Sequence, residues 1–298
     1  MEERAKQRIF ILGSGGRLGA ALMKEWKELD HLKLVALSRK ELDFSQPEAP
    51  LEVFKKYKLT EKDFIINCAA ITHVDQCEEE PDLAMKVNAT TPRLLAQLAA
   101  DTGTRFLHVS TDYVFDGKLE RPYQETDQPH PISHYGASKL AGEQAVLESS
   151  PHHFATRVSW VFGPERPSFI DQIVERALTN DQVAAIDDKT SSPSYTKDLA
   201  EWFQVFLKPE IAGGIYHLCN SGTCSWREYG EYALQVAARH GMPLRTTSVV
   251  PLKLSEMKNF IAQRPQHSAL DIKKFTTLYE KPLRSWQEAV EEHVRSKL

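Results

Sequence analysis

The stretch RIFILGSGGRLG, residues 8–19, decides the fold of this 298-residue chain. It begins with a mostly apolar run that predicts a strand over residues 8–12. An amphipathic segment follows, and its apolar residues recur at helical spacing, which predicts a helix over residues 17–29. The two elements are separated by glycines in a G-x-x-G-x-x-G pattern: Gly13, Gly16 and Gly19.

The glycine pattern has the spacing of a dinucleotide-binding turn. Such a turn needs a tight bend, a backbone that approaches a pyrophosphate and close packing of helix on strand, and glycine permits all three. The phosphates would meet free N–H groups at the start of the helix, where Arg17 and Leu18 are expected beside them. A plain glycine turn is the alternative, but a position in the first strand–helix unit favours dinucleotide binding.

Strands and helices are predicted to alternate along the first half of the chain. Further strands are expected over residues 32–37, 63–67, 105–110 and 153–158. Helices are expected over 47–57, 81–102 and 132–149, and Pro92 can start a second helical segment within 81–102. This alternation predicts an α/β fold, a Rossmann-type doubly wound parallel sheet with helices on both faces. The pattern loosens after residue 163. Residues 1–163 are therefore predicted to bind the dinucleotide and carry the catalytic residues. Residues 164–298 are predicted to form mainly a smaller substrate lobe, with segments that return to the sheet.

The composition argues against several classes of protein. The net charge is −4, with 37 Lys and Arg against 41 Asp and Glu, so no basic excess exists for nucleic acid binding. No run approaches about 18 apolar residues, and the first ten residues lack the apolar core of a signal peptide, so no membrane partner is expected. The four cysteines form no Cys-x-x-Cys pair, and the histidines are scattered. We therefore expect free thiols, a cytoplasmic protein and no metal site.

The residues after the second predicted strand bear on the choice of cofactor. An NAD site commonly has Asp or Glu there to hold the ribose hydroxyls, whereas this chain has Ser38, Arg39 and Lys40. A hydroxyl and a guanidinium suit a 2′-phosphate, so the sequence favours NADP(H), with NAD(H) as the alternative. In that alternative the basic pair is solvated and Glu41 or Asp43 serves the adenosine. Asp43 is placed to contact the adenine.

A Tyr-x-x-x-Lys pair, Tyr135 and Lys139, lies in the predicted helix over residues 132–149. Residues four apart share one helix face, and an ammonium near a phenol favours the phenolate, so Lys139 is expected to lower the pKa of Tyr135. Tyr135 would then protonate a carbonyl under reduction, and Lys139 would also hold the nicotinamide ribose. After the fourth strand, Thr111 is expected to hydrogen-bond the substrate oxygen, with Ser110 as its rival. A Ser/Thr turn that only caps local backbone is the bland alternative.

Five motifs carry a resemblance that covers nearly the whole chain: STDYVFDG (110–117), YGASK (135–139), RVSWVFG (157–163), GIYHLCNSG (214–222) and RPQHSALD (264–271). With the glycine turn they resemble the extended short-chain dehydrogenase/reductases and, within that family, the dTDP-4-dehydrorhamnose reductases. The resemblance implies reduction of the 4-keto group of dTDP-6-deoxy-L-lyxo-4-hexulose to dTDP-L-rhamnose. NADPH or NADH would supply the hydride.

The resemblance also implies roles for single residues. The catalytic group would be Thr111, Tyr135 and Lys139. The strand end along the cofactor would be Cys68, Ala69 and Ala70. The residues at the nucleotide sugar would be Thr72, Val74, Thr111, Trp160 and Arg264. For Trp160, packing in the core beside Val158 and Phe162 is the alternative.

Two further functions stay open at this stage. The regulatory β subunit of methionine adenosyltransferase resembles the same family, binds NADP and keeps similar motifs, so a binding role is one alternative. Reduction of another nucleotide-linked 4-ketosugar is the second. The expected partner is a nucleotide-sugar substrate, and the protein is expected to be a monomer or homodimer. Some relatives bridge dimers through a metal held partly by a Glu after the glycine turn, but Ala20 and Ala21 stand there in this chain.

Overall fold

The structure is a computed structural model, and it describes residues 6–297. Its strands are β1 (Gln7–Leu12), β2 (Leu32–Leu37), β3 (Phe64–Asn67), β4 (Arg105–Thr111), β5 (Phe154–Val158), β6 (Val161–Phe162), β7 (Val183–Ile186), β8 (Thr190–Ser191), β9 (Ser194–Tyr195), β10 (Gly214–His217), β11 (Cys224–Ser225) and β12 (Val249–Leu252). Its α-helices are α1 (Arg17–Trp26), α2 (Ala49–Lys55), α3 (Val74–Glu79), α4 (Pro81–Met85), α5 (Thr91–Asp101), α6 (His134–Ser149), α7 (Phe169–Thr179), α8 (Thr196–Phe203), α9 (Trp226–Arg239), α10 (Lys273–Tyr279) and α11 (Trp286–Arg295).

Six strands form one parallel sheet in the order β2-β1-β3-β4-β5-β10. Side chains alternate between its two faces, so Ile9 and Ile11 pack with α1 and α8, whereas Phe10 and Leu12 pack with α2 and α5. Burial on both faces explains why the strands read as continuous apolar runs. The predicted doubly wound α/β fold is confirmed.

The strand order places the ligand crevice. From β1 the chain runs to β2 on one side and then returns to β3 on the other, so the order reverses between β1 and β3. In doubly wound sheets, ligands bind beyond the carboxyl ends of the strands at such a point. The glycine turn follows β1, and Cys68 follows β3, so both lie at this crevice.

Residues 81–102 are helical but do not form one element, and a second helix begins beside Pro92, where the sequence allowed one. The segment divides into α4, a π-helical turn at Lys86–Thr90 and α5, and the short helix α3 precedes them. The hydrogen bonds of the Asn88 side chain account for this π-helical segment. It accepts a hydrogen bond from the backbone N–H of Ile71 at 2.9 Å and donates to the Ile71 carbonyl at 3.1 Å. A π-helical segment has one more residue per turn than an α-helix, which brings Asn88 to the side that faces the sheet. There Asn88 holds the backbone of Ile71, just after β3.

The later half of the chain contributes to two regions. Strand β10 extends the main sheet beside β5, and Trp26 on α1 donates a hydrogen bond to the carbonyl of Ala200 on α8 at 2.8 Å. Helices α7, α9 and α11 form a separate apolar cluster. The division at residue 163 stays a prediction, and residues 1–5 and 298, which it includes, lie outside the described residues. In residues 6–297, no helix is both long and apolar enough to span a membrane.

Candidate active site

A cavity of about 640 Å³ lies at the carboxyl ends of β1, β3, β4 and β5. Most of the predicted site residues line it together: Gly16, Arg17, Leu18, Cys68, Ala70, Thr72, Val74, Thr111, Tyr135, Lys139 and Trp160. The other predicted residues lie outside its lining: Gly13, Gly19, Ser38, Arg39, Asp43, Ala69 and Arg264. Gly13 and Gly19 do not face the cavity and instead pack closely against the neighbouring backbone.

The glycine turn has the dimensions that a dinucleotide requires. Gly13 has a φ of +75°, and a Cβ built on it would lie 2.8 Å from the backbone nitrogen of Ala69. A Cβ on Gly19 would collide with the carbonyl of Gly13. Beside these close contacts, the space above Gly15 is open. No side chain caps the N-terminus of α1, so its first N–H groups are available to the phosphates of a dinucleotide.

Two arginines join the glycine turn to the segment that follows β6. Arg17 donates to the carbonyls of Val161 and Pro167 at 3.0 and 2.6 Å, and Arg166 donates to the carbonyl of Gly15 at 2.5 Å. Within residues 6–297, neither guanidinium forms an ion pair with a carboxylate. Both line the cavity, so their charges are available to an anionic ligand. The sequence analysis missed Arg166, because no pattern signals that a loop 150 residues away returns to the turn.

The end of β2 is arranged differently from the sequence expectation. The backbone N–H of Ser38 donates to the Glu41 carboxylate at 2.8 Å, and the Ser38 hydroxyl bonds to the same oxygen. These hydrogen bonds lower the pKa of Glu41. Asp43 accepts from the hydroxyl of Ser45 at 2.7 Å, and Arg39 is exposed. The donors of Ser38 that were predicted for a 2′-phosphate are therefore engaged by a carboxylate of the chain itself.

Tyr135 lies in the first turn of α6 and faces the cavity. Ser133 caps this helix by accepting a hydrogen bond from the Gly136 N–H at 3.2 Å. A Cβ on Gly136 would collide with the carbonyl of Tyr113, so glycine lets the start of α6 pack directly on the segment after β4. The rings of Tyr113 and Tyr135 consequently meet edge to face, with centroids 5.4 Å apart.

Thr111 is the last residue of β4, and its hydroxyl already has partners. It donates to the Asp112 carboxylate at 3.0 Å and accepts from the Tyr113 N–H at 3.2 Å. The other oxygen of Asp112 accepts from Ser268 at 2.6 Å and from Ser191 at 3.1 Å. Because a hydroxyl has one proton, Thr111 must turn from Asp112 to donate to a substrate.

Ser110, the rival of Thr111, also lines the cavity. Its Oγ is buried and has no hydrogen-bond partner within the part of the chain that the structure describes. Its hydroxyl is therefore uncommitted, whereas the Thr111 hydroxyl is held.

The expected effect of Lys139 on Tyr135 is wrong for this arrangement. Burial raises the pKa of Tyr135, and a hydrogen bond with Thr111 opposes the rise only in part. Lys139 turns its Nζ to the carbonyl of Val109 at 2.6 Å and to His108 Nε2 at 3.2 Å. Burial lowers the pKa of Lys139 itself to about 8. The phenol therefore keeps its proton, which suits a proton donor.

Trp160 combines both of its expected environments. It lines the cavity, yet its ring also packs near Trp226 and Tyr229, with centroids 5.7 and 6.0 Å away. Its φ is +42°, a left-handed conformation that costs a non-glycine residue about 1–2 kcal/mol. Its Nε1 is buried and has no acceptor in residues 6–297. Strain and an unused donor at a cavity wall are typical of a ligand-binding position.

Arg264 does not reach the cavity. Its guanidinium forms two hydrogen bonds with Asp75 on α3, at 3.1 and 2.7 Å, and lies over the Phe260 ring at 3.5 Å. The ion pair lowers the pKa of Asp75 to about 2. The sequence missed α3, so it gave no sign of this partner, and a direct contact with substrate stays a prediction. In the described residues, no group of three or more His, Cys, Asp or Glu side chains could hold a metal ion.

Known proteins resemble this chain over nearly its whole length. A family described as "RmlD substrate binding domain" matches residues 7–298. The dTDP-4-dehydrorhamnose reductase of Salmonella typhimurium is 34% identical over 286 residues, which cover 94% of each chain. The spore coat polysaccharide biosynthesis protein SpsK of Bacillus subtilis is 32% identical over 291 residues. That alignment covers 97% of this chain and 98% of SpsK.

Solved structures agree with this result. The crystal structure of dTDP-4-dehydrorhamnose reductase from Bacillus anthracis in complex with NADP has a TM-score of 0.88 and 30% identity. The match covers 98% of this chain and 99% of the other. This chain and the reductase from Bacillus anthracis therefore share one fold over nearly their whole length.

Proposed function

The chain belongs to the RmlD substrate binding domain family, and from that premise we propose that it reduces the 4-keto group of dTDP-6-deoxy-L-lyxo-4-hexulose to dTDP-L-rhamnose. It is an oxidoreductase of the short-chain dehydrogenase/reductase type that acts on a nucleotide sugar. NADPH is the preferred hydride donor and NADH the alternative, because the relative from Bacillus anthracis is in complex with NADP. One observation carries the proposal: Thr111, Tyr135 and Lys139 converge on the cavity that the glycine turn opens into.

The chain's own residues supply the proton chemistry. The reduced nicotinamide supplies the hydride when it is bound. Tyr135, which burial keeps protonated, donates its phenol proton to the oxygen where negative charge develops. Thr111, once turned from Asp112, donates a hydrogen bond to the same oxygen. Lys139, which lines the same cavity, would hold the ribose of the cofactor.

The remaining predicted site residues divide between cofactor and substrate. We assign to the cofactor the glycine turn with Arg17 and Leu18, the β2 end with Ser38, Arg39 and Asp43, and the β3 end at residues 68–70. Thr72, Val74 and Trp160 are assigned to the nucleotide sugar. Their place in the cavity wall supports these assignments. The buried Nε1–H of Trp160, which has no acceptor in the described residues, supports its assignment further. Arg264 is assigned to the same side through its hold on Asp75, which neighbours Val74.

The test is NADPH oxidation, followed by the nicotinamide absorbance, with the dTDP-linked 4-ketosugar made in situ. Tyr135→Phe removes only the phenol hydroxyl, so we expect turnover to fall roughly 10²–10⁴-fold while NADPH binding is kept. Tyr232→Phe is the matched control, because that ring packs on Trp286 outside the cavity and its loss of a hydroxyl should leave turnover unchanged.

Two results would contradict the proposal. Turnover by Tyr135→Phe at the wild-type rate would remove Tyr135 from its role as proton donor. An inactive wild-type protein that still binds NADPH tightly would instead favour a regulatory binding role or another ketosugar.

We also propose a cytoplasmic location and a monomeric or homodimeric state. The location is supported by the cysteines, which are all free thiols, as a reducing compartment keeps them. Sedimentation of the purified protein would distinguish a monomer from a homodimer. An assembly larger than a dimer would contradict the proposed oligomeric state.

A further inference from the structure

Residues 260–264 approach the end of β4, because the chain that follows them is fixed there. A Cβ on Gly117, which follows β4, would lie 2.5 Å from the backbone nitrogen of Gln266. Ser268 donates a hydrogen bond to Asp112 at 2.6 Å. Residues 260–264 are therefore held near the carboxyl edge of the sheet, where the cavity lies.

One carboxylate fastens this segment to α3. Asp75 Oδ1 accepts hydrogen bonds from the backbone N–H groups of Ile261 and Ala262, each at 3.0 Å. The guanidinium of Arg264 adds two more, at 3.1 Å to Oδ1 and at 2.7 Å to Oδ2. The side chains of Asp75 and Arg264 are only 15% and 8% exposed, so water screens the pair weakly. Hydrogen bonds to a charged acceptor are also stronger than those between neutral groups.

Aromatic contacts fasten the same segment on its other side. The Phe260 ring lies over the Arg264 guanidinium at 3.5 Å and meets the Trp226 ring edge to face, with centroids 6.4 Å apart. Trp226 in turn packs near Trp160, which lines the cavity. Residues 260–264 therefore contact α3 on one side and the aromatic cluster behind Trp160 on the other.

These contacts connect two walls of the cavity. Asp75 directly follows Val74, which lines the wall after β3, whereas Trp160 lines the wall after β5. Strand β4 lies between β3 and β5, so the two strand ends are about 10 Å apart, twice the usual spacing of strands. Residues 260–264 span this distance, and the hydrogen bonds of Asp75 form their connection at the β3 side.

We propose that Asp75 is a positioning residue that holds residues 260–264 across the cavity and so fixes the walls at Val74 and Trp160 for the nucleotide sugar. The nature of this ligand rests on the proposed function. A ligand that meets an ordered segment loses less conformational entropy on binding. Without Asp75, binding itself would have to order the segment, which weakens the affinity for the nucleotide sugar.

Loss of Asp75 should leave the fold intact. Helix α3 is held separately, because Cys77 packs in a buried cluster with Tyr113 and Tyr135. Ile261 is 59% exposed, so this part of the segment contributes little to the core. The effect of Asp75 is therefore expected in the binding of the ligand and not in overall stability.

Hydrogen exchange tests the hold without any turnover. In Asp75→Ala the amide groups of Ile261 and Ala262 lose their acceptor, so they should exchange at least about tenfold faster than in the wild type. Asp82→Ala, which removes an exposed carboxylate from the neighbouring helix α4, is the matched control and should leave both amides unchanged. Equal exchange in the wild type and Asp75→Ala would overturn the proposal.

Binding of the product dTDP-L-rhamnose, measured by titration calorimetry with NADP⁺ bound, tests the consequence. We expect its dissociation constant to rise about 10–100-fold in Asp75→Ala, while the dissociation constant of NADPH and kcat for ketone reduction stay within about twofold. A general loss of structure would change all three quantities. An unchanged dissociation constant for the product, or an equal rise for NADPH, would overturn the proposal.

The sign of the change separates this role from a simple effect of charge. Asp75 is an anion, and the ligand has an anionic diphosphate, so removal of the carboxylate would by charge alone strengthen binding. Release of Arg264 from its ion pair would act in the same direction. Tighter binding of the product by Asp75→Ala would therefore overturn the proposal and show that Asp75 keeps Arg264 from the ligand.

A double variant tests whether Arg264 acts through the same hold. Arg264→Ala should weaken product binding, and its combination with Asp75→Ala should weaken it no further than the more severe single substitution. Losses that add would show that the two side chains act independently, and would overturn the proposal. A wild type that binds the product but does not reduce the ketosugar would overturn the proposed function alone. A wild type that does not bind the product would overturn both the proposed substrate and the role of Asp75 toward it.

Discussion

The ends of β4 and β2 lie at the same edge of the sheet, but their side chains are held in opposite ways. After β4, Asp112 is buried and accepts hydrogen bonds from Ser191 and Ser268, which lie 79 and 156 residues later. After β2, the bonds of Glu41 and Asp43 go to serines two or three residues away, and Glu41 is exposed. One strand end is fixed by the whole fold, and the other is only locally ordered.

This difference matches the two tasks of the site. Proton transfer requires side chains held to within a fraction of an ångström, so it belongs where distant parts of the chain converge. Recognition of a ribose or its 2′-phosphate depends on a few exposed polar groups that can exchange partners. We therefore expect substitutions after β4 to affect stability and turnover, and substitutions after β2 to affect mainly the choice of cofactor.

The strongest test of this contrast compares the stability of the Asp112→Ala and Asp43→Ala variants. Loss of Asp112 leaves the hydroxyls of Thr111, Ser191 and Ser268 without their charged acceptor, so we expect the free energy of unfolding to fall by about 3 kcal/mol. Asp43→Ala should change it by less than about 0.5 kcal/mol. Urea unfolding measures both, and equal losses would show that the two strand ends are held alike.

Arg39→Ala addresses the cofactor side of the contrast. If Arg39 binds the 2′-phosphate, its removal should weaken NADPH binding by roughly 1.5–3 kcal/mol, the value of a hydrogen bond to a charged group, and leave NADH binding unchanged. Fluorescence titration with each cofactor gives the two dissociation constants. Arg93→Ala, an exposed arginine on α5, is the matched control for charge. Equal losses for both cofactors would remove Arg39 from the 2′-phosphate site.

The same contrast explains what the sequence could predict. The glycine turn and the Tyr135–Lys139 pair are local patterns, since a tight turn and one helical turn fix them within a few residues. The bonds that Asp112, Arg264 and Lys139 form with other elements are different, because those elements are distant in the chain. Asp75, for example, lies on α3, which is too short to give a periodic signal, so the bond that holds Arg264 could not be foreseen.

Glu41→Gln has the smallest expected effect and refines the comparison. The Glu41 carboxylate occupies the Ser38 N–H and hydroxyl that a 2′-phosphate would use, and it repels that phosphate. Gln keeps the shape without the charge, so NADPH should bind about two- to fivefold more tightly relative to NADH, in line with an exposed charge pair.

The effect of Glu41 should also depend on pH with a definite sign. Hydrogen bonds from Ser38 lower the pKa of Glu41, so its carboxylate stays ionised through the neutral range and is protonated only below that lowered pKa. The difference between wild type and Glu41→Gln in the ratio of NADPH to NADH dissociation constants should therefore be constant around neutral pH and disappear in acid. A difference that persists below the lowered pKa would mean that Glu41 acts through its hydrogen bonds with Ser38 and not through its charge, so that the end of β2, like the end of β4, is fixed by hydrogen bonds.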